Sequence, residues 1–284
     1  MKGKGQFAAL LGVEWDAVSK LVDPGNYLVW LNDKKREIQQ PLRWLQAVHK
    51  RIASLLQRID VPHYVYSQKG RSYATNAKQH VGPHPVVKTD ISSFYPSVTR
   101  AAVRRMFREQ FRCAADVADR LSTICCYDGR HLPTGSPLSG VVAFFAARPM
   151  FDEIAAKAFA AGCTMTVYVD DITLSGQHAT TTLLQQVRRI VHRHGLRTKS
   201  KKSKSFPAAS PKTITGVIVT AETLRLPNSR HKLIDETRRA LVQADGAERL
   251  ILRRQLQGRE QEALQIERLN LPLQADEAST VGRW

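Results

Sequence analysis

Residues 41–59 read PLRWLQAVHKRIASLLQRI, and Leu42, Leu45, Val48, Ile52 and Leu55 recur at three- and four-residue steps. The basic residues fall mainly between them, so the spacing predicts an amphipathic helix with one face toward a core. Residues 85–91, PVVKTDI, change to a short apolar strand that ends at an acid. Two helices are expected over 101–127, followed by a Gly- and Pro-punctuated segment, DGRHLPTGSPLSG. The apolar run VVAFFAARPMFDEIAAKAFAAG then predicts a helix with Gly162 as its stop.

Residues 165–176, MTVYVDDITLSG, switch to period two. Met165, Val167 and Val169 alternate with Thr164, Thr166 and Tyr168, and Ile172 and Leu174 resume the alternation. This is a hairpin pattern with Asp170 and Asp171 at its turn. A helix from about Thr180 to His194 is closed by Gly195. Its last turns carry Arg188, Arg189, His192, Arg193 and His194, as the negative end of a helix favours. Residues 213–226 predict two short strands. From Asn228 onward the pattern is helical, with Asn228 or Ser229 as cap and Leu233, Ile234, Ala240 and Leu241 inward. There is no internal repeat, and the expectation is an α+β body with a helical carboxyl-terminal piece.

Charge changes the picture more than composition does. The 284 residues are 43% hydrophobic, enough for a substantial core. Lys and Arg number 43 against 25 acids, a formal net charge of +18, which calls for a polyanionic partner such as nucleic acid or an anionic membrane surface. No apolar run approaches the roughly 18–20 residues of a membrane span. The apolar stretch near the amino terminus is broken at Glu14 and Asp16, which argues against a signal peptide. Cys113, Cys125, Cys126 and Cys163 lack the spacing of a zinc site or a disulfide framework, so a reducing cytoplasm is expected.

Two adjacent acids in an apolar hairpin need a reason. A solvated turn is the ordinary one, although Asp-Gly or Asn-Gly would turn more easily. Two carboxylates about 4 Å apart repel by about 4 kcal/mol at an effective dielectric near 20. A divalent cation reverses that sign, and Mg²⁺, with its preference for oxygen ligands, suits the role. A two-metal centre needs a further carboxylate from another strand. Asp90, at the end of VVKTD, offers it, although a lone strand-end Asp is often a helix cap.

These segments resemble a known family. YVDD (168–171) is similar to the signature hairpin of reverse transcriptases, KTDISSFYPS (88–97) to the other catalytic strand of their palm, and LPTGSPLSG (132–140) to the segment between them. TNAKQHVG (75–82) resembles the N-A-x-x-H motif of bacterial retron reverse transcriptases, and ITGVIVT (214–220) their V-T-G motif, with Ile214 in place of valine. The resemblance runs from about residue 30 to 260. It implies a right-hand polymerase fold: fingers, a palm of antiparallel sheet with helices on one face, and a short helical thumb. Fingers and palm are expected over 1–220 and an RNA-binding thumb over 221–284.

The resemblance also implies roles. A primer hydroxyl attacks the α-phosphate of a dNTP, with two Mg²⁺ ions and cationic side chains stabilising the phosphate oxygens. Asp90 and Asp170 bridge both ions, Asp171 supports them, and the Ile91 carbonyl joins. Tyr95 stands at the sugar gate, while Phe94 reads as a core aromatic. Gly135 and Ser136 let the backbone approach the nucleotide; Thr134 stands where the family often has Gln. Arg36 grips the triphosphate with Lys34 or Lys35 as helpers, and an exposed basic turn is the competing reading. Lys202, within a lysine-rich run that also reads as a solvated loop, protonates the leaving pyrophosphate.

RNA contacts are expected from Asn76 and His80, four apart and on one face if helical, from Thr215 and Gly216, and from Arg238 and Arg239. Arg230, Lys232, Arg249, Arg253 and Arg254 add to that basic thumb. His80 and His84 have metal-pair spacing, but Gly82 and Pro83 break the helix and exclude it. The function implied is a retron reverse transcriptase of the bacterial cytoplasm, copying part of a cognate structured non-coding RNA into branched RNA-linked DNA. A separate effector protein and a role in anti-phage defence come with it; a membrane does not. Competing readings are a group II intron-like or abortive-infection reverse transcriptase, and a non-catalytic RNA-binding protein. The retron motifs argue against the first. The three acids argue against the second, because unused buried carboxylates are costly.

Overall fold

The computed structural model describes residues 1–271. The chain opens with α1 (Lys4–Leu11) and α2 (Val18–Leu21), then a hairpin of β1 (Tyr27–Leu31) and β2 (Glu37–Pro41). The amphipathic run gives α3 (Arg43–Leu56), which buries Leu45, Val48, Ile52 and Leu56 on the face its period marks. A reciprocal capping box of Ser72 and Thr75 starts α4 (Tyr73–Lys78). Next come β3 (Val86–Asp90), α5 (Phe94–Ser97), α6 (Arg100–Glu109), α7 (Ala115–Cys125) and α8 (Ser139–Ala160). Gly162, at φ +61°, lies just beyond α8 as expected of a stop. The hairpin β4 (Thr164–Tyr168) and β5 (Asp171–Ser175) leads to α9 (Thr181–Arg193). The rest is β6 (Lys204–Phe206), β7 (Lys212–Ile214), β8 (Val217–Val219), β9 (Leu224–Arg225), α10 (Asn228–Gln243) and α11 (Gly246–Arg268).

The main sheet has the order β4-β5-β3-β6 and is antiparallel throughout. Its register separates two faces. Thr164, Thr166 and Tyr168 pair with Ser175, Thr173 and Asp171, and these in turn with Val86, Lys88 and Asp90. Cross-strand partners share a face, so this side is mostly polar and carries two of the acids. Val87, Met165, Val167, Ile172 and Leu174 point the other way, into the main core with Phe145, Phe151, Ile154, Val187 and Val191 of α8 and α9.

The small sheet β7-β8-β9 has three strands where two were expected. It forms a second apolar cluster in which Ile214, Val217, Val219 and Leu224 pack with Ala74 and Ala77 of α4, Ile234 of α10 and Ile266 of α11. The expected division after residue 220 cuts this unit, because β8 and β9 pair across it. Pro227, not Asn228 or Ser229, takes the cap position of α10, and no side chain caps it. The part of the expected thumb over 272–284 lies outside the described residues.

The turn of the β4–β5 hairpin also differs from expectation. It is Val169–Asp170 rather than Asp170–Asp171, because the ladder holds Asp171 in pairing with both Tyr168 and Asp90. Val169 sits at φ +60°, a region where a β-branched residue is strained. All four cysteines are free and buried. Among the described residues no helix is long and apolar enough to cross a membrane.

Candidate active site

Three strand ends bring the acids together. Asp90 closes β3, Asp171 opens β5 directly opposite it, and Asp170 occupies the intervening turn. The Ile91 amide donates to the Asp170 carbonyl at 2.9 Å, which fastens the turn to the end of β3. The segment after α9 runs alongside: Thr198 bridges to Ile91, and the Lys199 amide donates to the Asp90 carbonyl at 2.9 Å. That segment delivers two ammonium groups. Lys202 Nζ lies 2.5 Å from Asp90 Oδ2, and Lys199 Nζ lies 3.5 Å from Asp90 Oδ2 and 3.7 Å from Asp170 Oδ2. Lys88, on the same face of β3 as Asp90, places Nζ 3.6 Å from Asp171 Oδ2. Three carboxylates thus face three ammonium groups.

Only Asp170 stands in the turn, and its side chain is 34% exposed; those of Asp171 and Asp90 are 17% and 6% exposed. Burial pushes the Asp170 carboxyl above its ordinary value, and the charge of Asp90 adds to this while Lys199 opposes it. Burial also raises Asp171, with Lys88 opposing and the other two acids adding. The Lys202 ammonium is pushed up by its hydrogen bond to Asp90. Asp171 Oδ1 is buried without any hydrogen-bond partner, an arrangement that costs about 1–3 kcal/mol and that a bound cation would relieve. Among the described residues no three acidic, His or Cys side chains are grouped so as to hold a metal ion as they stand. In donor chemistry the all-oxygen set fits Mg²⁺.

The acids open onto a cleft of about 830 Å³ that Lys35, Arg36, Tyr95, Thr134, Lys199 and Lys202 also line. Arg36 enters from the β1–β2 turn, where Asn32 Oδ1 accepts from the Lys34 and Arg36 amides, each at 3.0 Å. Lys34 is not among the lining residues. Tyr95 stacks on buried Phe94, their centroids 6.0 Å apart. Burial and the Asp170 charge raise its phenol.

Gly135 and Ser136 do something other than line the cleft. Gly135 has φ +123°, and a Cβ there would lie 2.8 Å from Ile38 Cγ2, so the close approach it permits is to β2. Beside it the Thr134 amide donates to Gln39 Oε1 and the Gln39 amide to the Thr134 carbonyl, both at 2.7 Å. Ser136 Oγ lies 2.7 Å from Nδ1 of His49, a buried residue of α3.

The expected RNA contacts divide. Asn76 and His80 are each 1% exposed, so neither side chain meets a ligand at the surface. His80 lies beyond the end of α4, and its ring nitrogens are both engaged inside the protein. For His80 the polar character reflects buried partners distant in sequence, whereas Asn76 Oδ1 is buried without a hydrogen-bond partner. Thr215 lines the cleft, at φ +45°, and its hydroxyl donates to the Tyr73 carbonyl at 2.7 Å; Gly216 follows at φ +86°. Arg238 and Arg239 stand on exposed α10, where Arg238 is paired with Glu260 at 2.8 Å. Lys88, Lys199, Tyr168 and Gln39 border the site without having been singled out in the sequence. For Lys88 the signal was its two-residue step from Asp90.

Residues 32–219 match the family described as reverse transcriptase (RNA-dependent DNA polymerase). The chain is similar to the retron Se72 reverse transcriptase of Salmonella heidelberg, 27% identical over 202 residues, covering 66% of this chain and 52% of that protein. It is also 27% identical to the retron Ec86 reverse transcriptase of Escherichia coli over 218 residues, 73% of this chain and 68% of that protein. The chain therefore spans about half the length of the first relative and about two thirds of the second. In structure it is similar to telomerase from Candida albicans in complex with a TWJ fragment of telomeric RNA, with a TM-score of 0.51 at 9% identity, covering 84% of this chain and 56% of that one. At that identity the likeness is one of fold, the right-hand polymerase arrangement.

Proposed function

The chain belongs to the reverse transcriptase family, and from that premise we propose that it is the polymerase of a retron. It copies part of a cognate structured non-coding RNA into DNA that stays joined to RNA. The observation that carries this reading is the meeting of Asp90, Asp170 and Asp171 with Lys202 and Arg36 around one cleft. Relatives that are themselves retron reverse transcriptases support the retron assignment over other bacterial kinds.

In this reading Asp90 and Asp170 hold a pair of Mg²⁺ ions, with Asp171 and the Ile91 carbonyl in support. The metals, when bound, offset charge on the reacting phosphate. The primer hydroxyl gives up its proton to water in the open cleft, and its oxygen forms a bond to the α-phosphorus as the bond to the bridging oxygen of pyrophosphate breaks. Arg36, with Lys35 beside it, holds the triphosphate in line for that exchange. Lys202 gives its proton to the departing pyrophosphate. Tyr95 closes the space a ribose 2′-OH would need. Thr215, Gly216 and the basic face of α10 hold the RNA, and the thumb-like unit starts at β7. The reading extends to branched RNA–DNA, a separate effector protein, anti-phage defence and the bacterial cytoplasm.

The test is to express the chain with its neighbouring non-coding RNA and sequence the co-purifying nucleic acid with and without ribonuclease. One defined DNA joined to RNA is expected, and none from Asp170→Asn. RNA alone, unchanged by that substitution, would mean a binding protein. Linear primer extension without a branched product would mean another kind of bacterial reverse transcriptase.

A further inference from the structure

His80 lies under the carboxylate hairpin and touches both of its strands. Its Nε2 is 2.7 Å from Thr166 Oγ1 in β4, and its Nδ1 is 2.7 Å from Ser175 Oγ in β5. Thr166 precedes Asp170 by four residues and Ser175 follows Asp171 by four, so the ring grips the two arms at equal distances from the acids. The strand register pairs Thr164 with Ser175 and Thr166 with Thr173. The ring therefore spans the ladder diagonally, on the same face of the sheet as Asp90 and Asp171.

We propose that His80 is a positioning residue, a cross-strand brace that holds the β4–β5 hairpin in register and keeps Asp170 and Asp171 placed against Asp90.

Three features make such a brace useful. β4 ends the sheet order, and on its outer edge only residues 64–66 pair with it, through Val167 alone, so its register rests on fewer bonds than that of β5 or β3. The turn carries strain at Val169, φ +60°, which loosening of the arms would release. A one-residue slip of either strand would also turn Thr166 or Ser175 to the opposite face and break its bond to the ring. The brace is itself anchored. The His80 amide donates to the Ala77 carbonyl at 3.0 Å, and α4 is tied to the second unit by Thr215 at Tyr73 and by the Tyr73 hydroxyl to Glu262 of α11 at 2.9 Å. A surface role in RNA recognition is incompatible with a ring that is 1% exposed and has both nitrogens engaged.

The inference rests on the polymerase reading for its catalytic consequence, and the experiment has one arm for each. His80→Phe keeps a ring but no hydrogen bonds, and Thr166→Val removes one bond at nearly constant shape. The first arm is steady-state extension of an RNA template with a DNA primer. The expected result is a kcat about 10–100-fold lower, with KM for dNTP and the dissociation constant for the template–primer within about twofold of the parent. The double variant should be no worse than His80→Phe alone. The second arm is amide hydrogen exchange, expected to accelerate in 164–176 and not in α8. Should His80→Phe fail to fold, Thr166→Val and Ser175→Ala carry both arms.

Loss of template–primer affinity with kcat intact would overturn the proposal in favour of RNA contact. Unchanged kcat and exchange, or exchange that quickens equally throughout the chain, would overturn it too. A parent chain that extends no primer would sink the polymerase reading instead, leaving the brace to be decided by the exchange arm.

Discussion

Two histidines are buried in the neutral form, and this should make the fold acid-labile well above the carboxylate range. Burial pushes His49 down to about 4 and His80 to about 3, from an ordinary value of 6.5. Above pH 6.5 both rings are neutral whether the chain is folded or not, and stability is fully present. As pH falls below 6.5 the unfolded chain takes up protons that the folded chain refuses, and stability declines until the folded values are reached. At about 1.4 kcal/mol per pH unit, each ring costs about 2 kcal/mol near pH 5, or about 4 kcal/mol together. That is a large share of the roughly 5–15 kcal/mol typical of a domain. Asp170 and Asp171, raised by burial, act in the opposite sense, because the folded chain protonates them first. Urea unfolding followed by tryptophan fluorescence near pH 7 and pH 5 measures the difference. His49→Gln and His80→Gln should each remove about half of it, at whatever cost to stability near neutral pH. A parental loss under about 1 kcal/mol, or an undiminished loss in the double variant, would refute the argument.

Other outcomes follow from the site and the thumb. Tyr95→Val should raise ribonucleotide incorporation relative to deoxynucleotide by about 10–100-fold in a competition primer-extension assay, with modest change for dNTPs. Arg239→Gln should lower the salt slope of RNA-duplex affinity by up to about 0.9, measured by fluorescence anisotropy. Arg238→Gln should lower it less, because Glu260 already engages that guanidinium. Gly135→Ala forces a Cβ onto Ile38 at an unfavourable φ and should cost about 1–3 kcal/mol in denaturant unfolding.

The strands and acids were legible because alternation on β3, β4 and β5 is a local property with a face-to-face meaning. The same logic reached Asp90 but stopped short of Lys88, although both lie in one phase of one strand. The turn lies one residue before the acid pair because Val169 adopts a conformation its side chain disfavours, enforced by the pairing of Asp171 with both Tyr168 and Asp90. His80 is legible as part of a motif, but its role is not. A polar residue reads as exposed until its partners are known, and Thr166 and Ser175 lie 86 and 95 residues away. The β1–β2 hairpin is not legible in the sequence because Leu28, Val29, Trp30 and Leu31 are all exposed, so period two leaves no trace there.

The concealed thiols give this chain a built-in reporter. Cys163 adjoins the base of the carboxylate hairpin, its Cα 3.1 Å from where a Cβ on Gly176 would stand, while Cys125 and Cys126 close α7. Burial raises all three thiols, most of all Cys125, so alkylating reagents meet almost no thiolate until a region opens. Pulsed labelling read by mass would therefore time the loosening of the hairpin separately from that of α7, with no dye or mutation added.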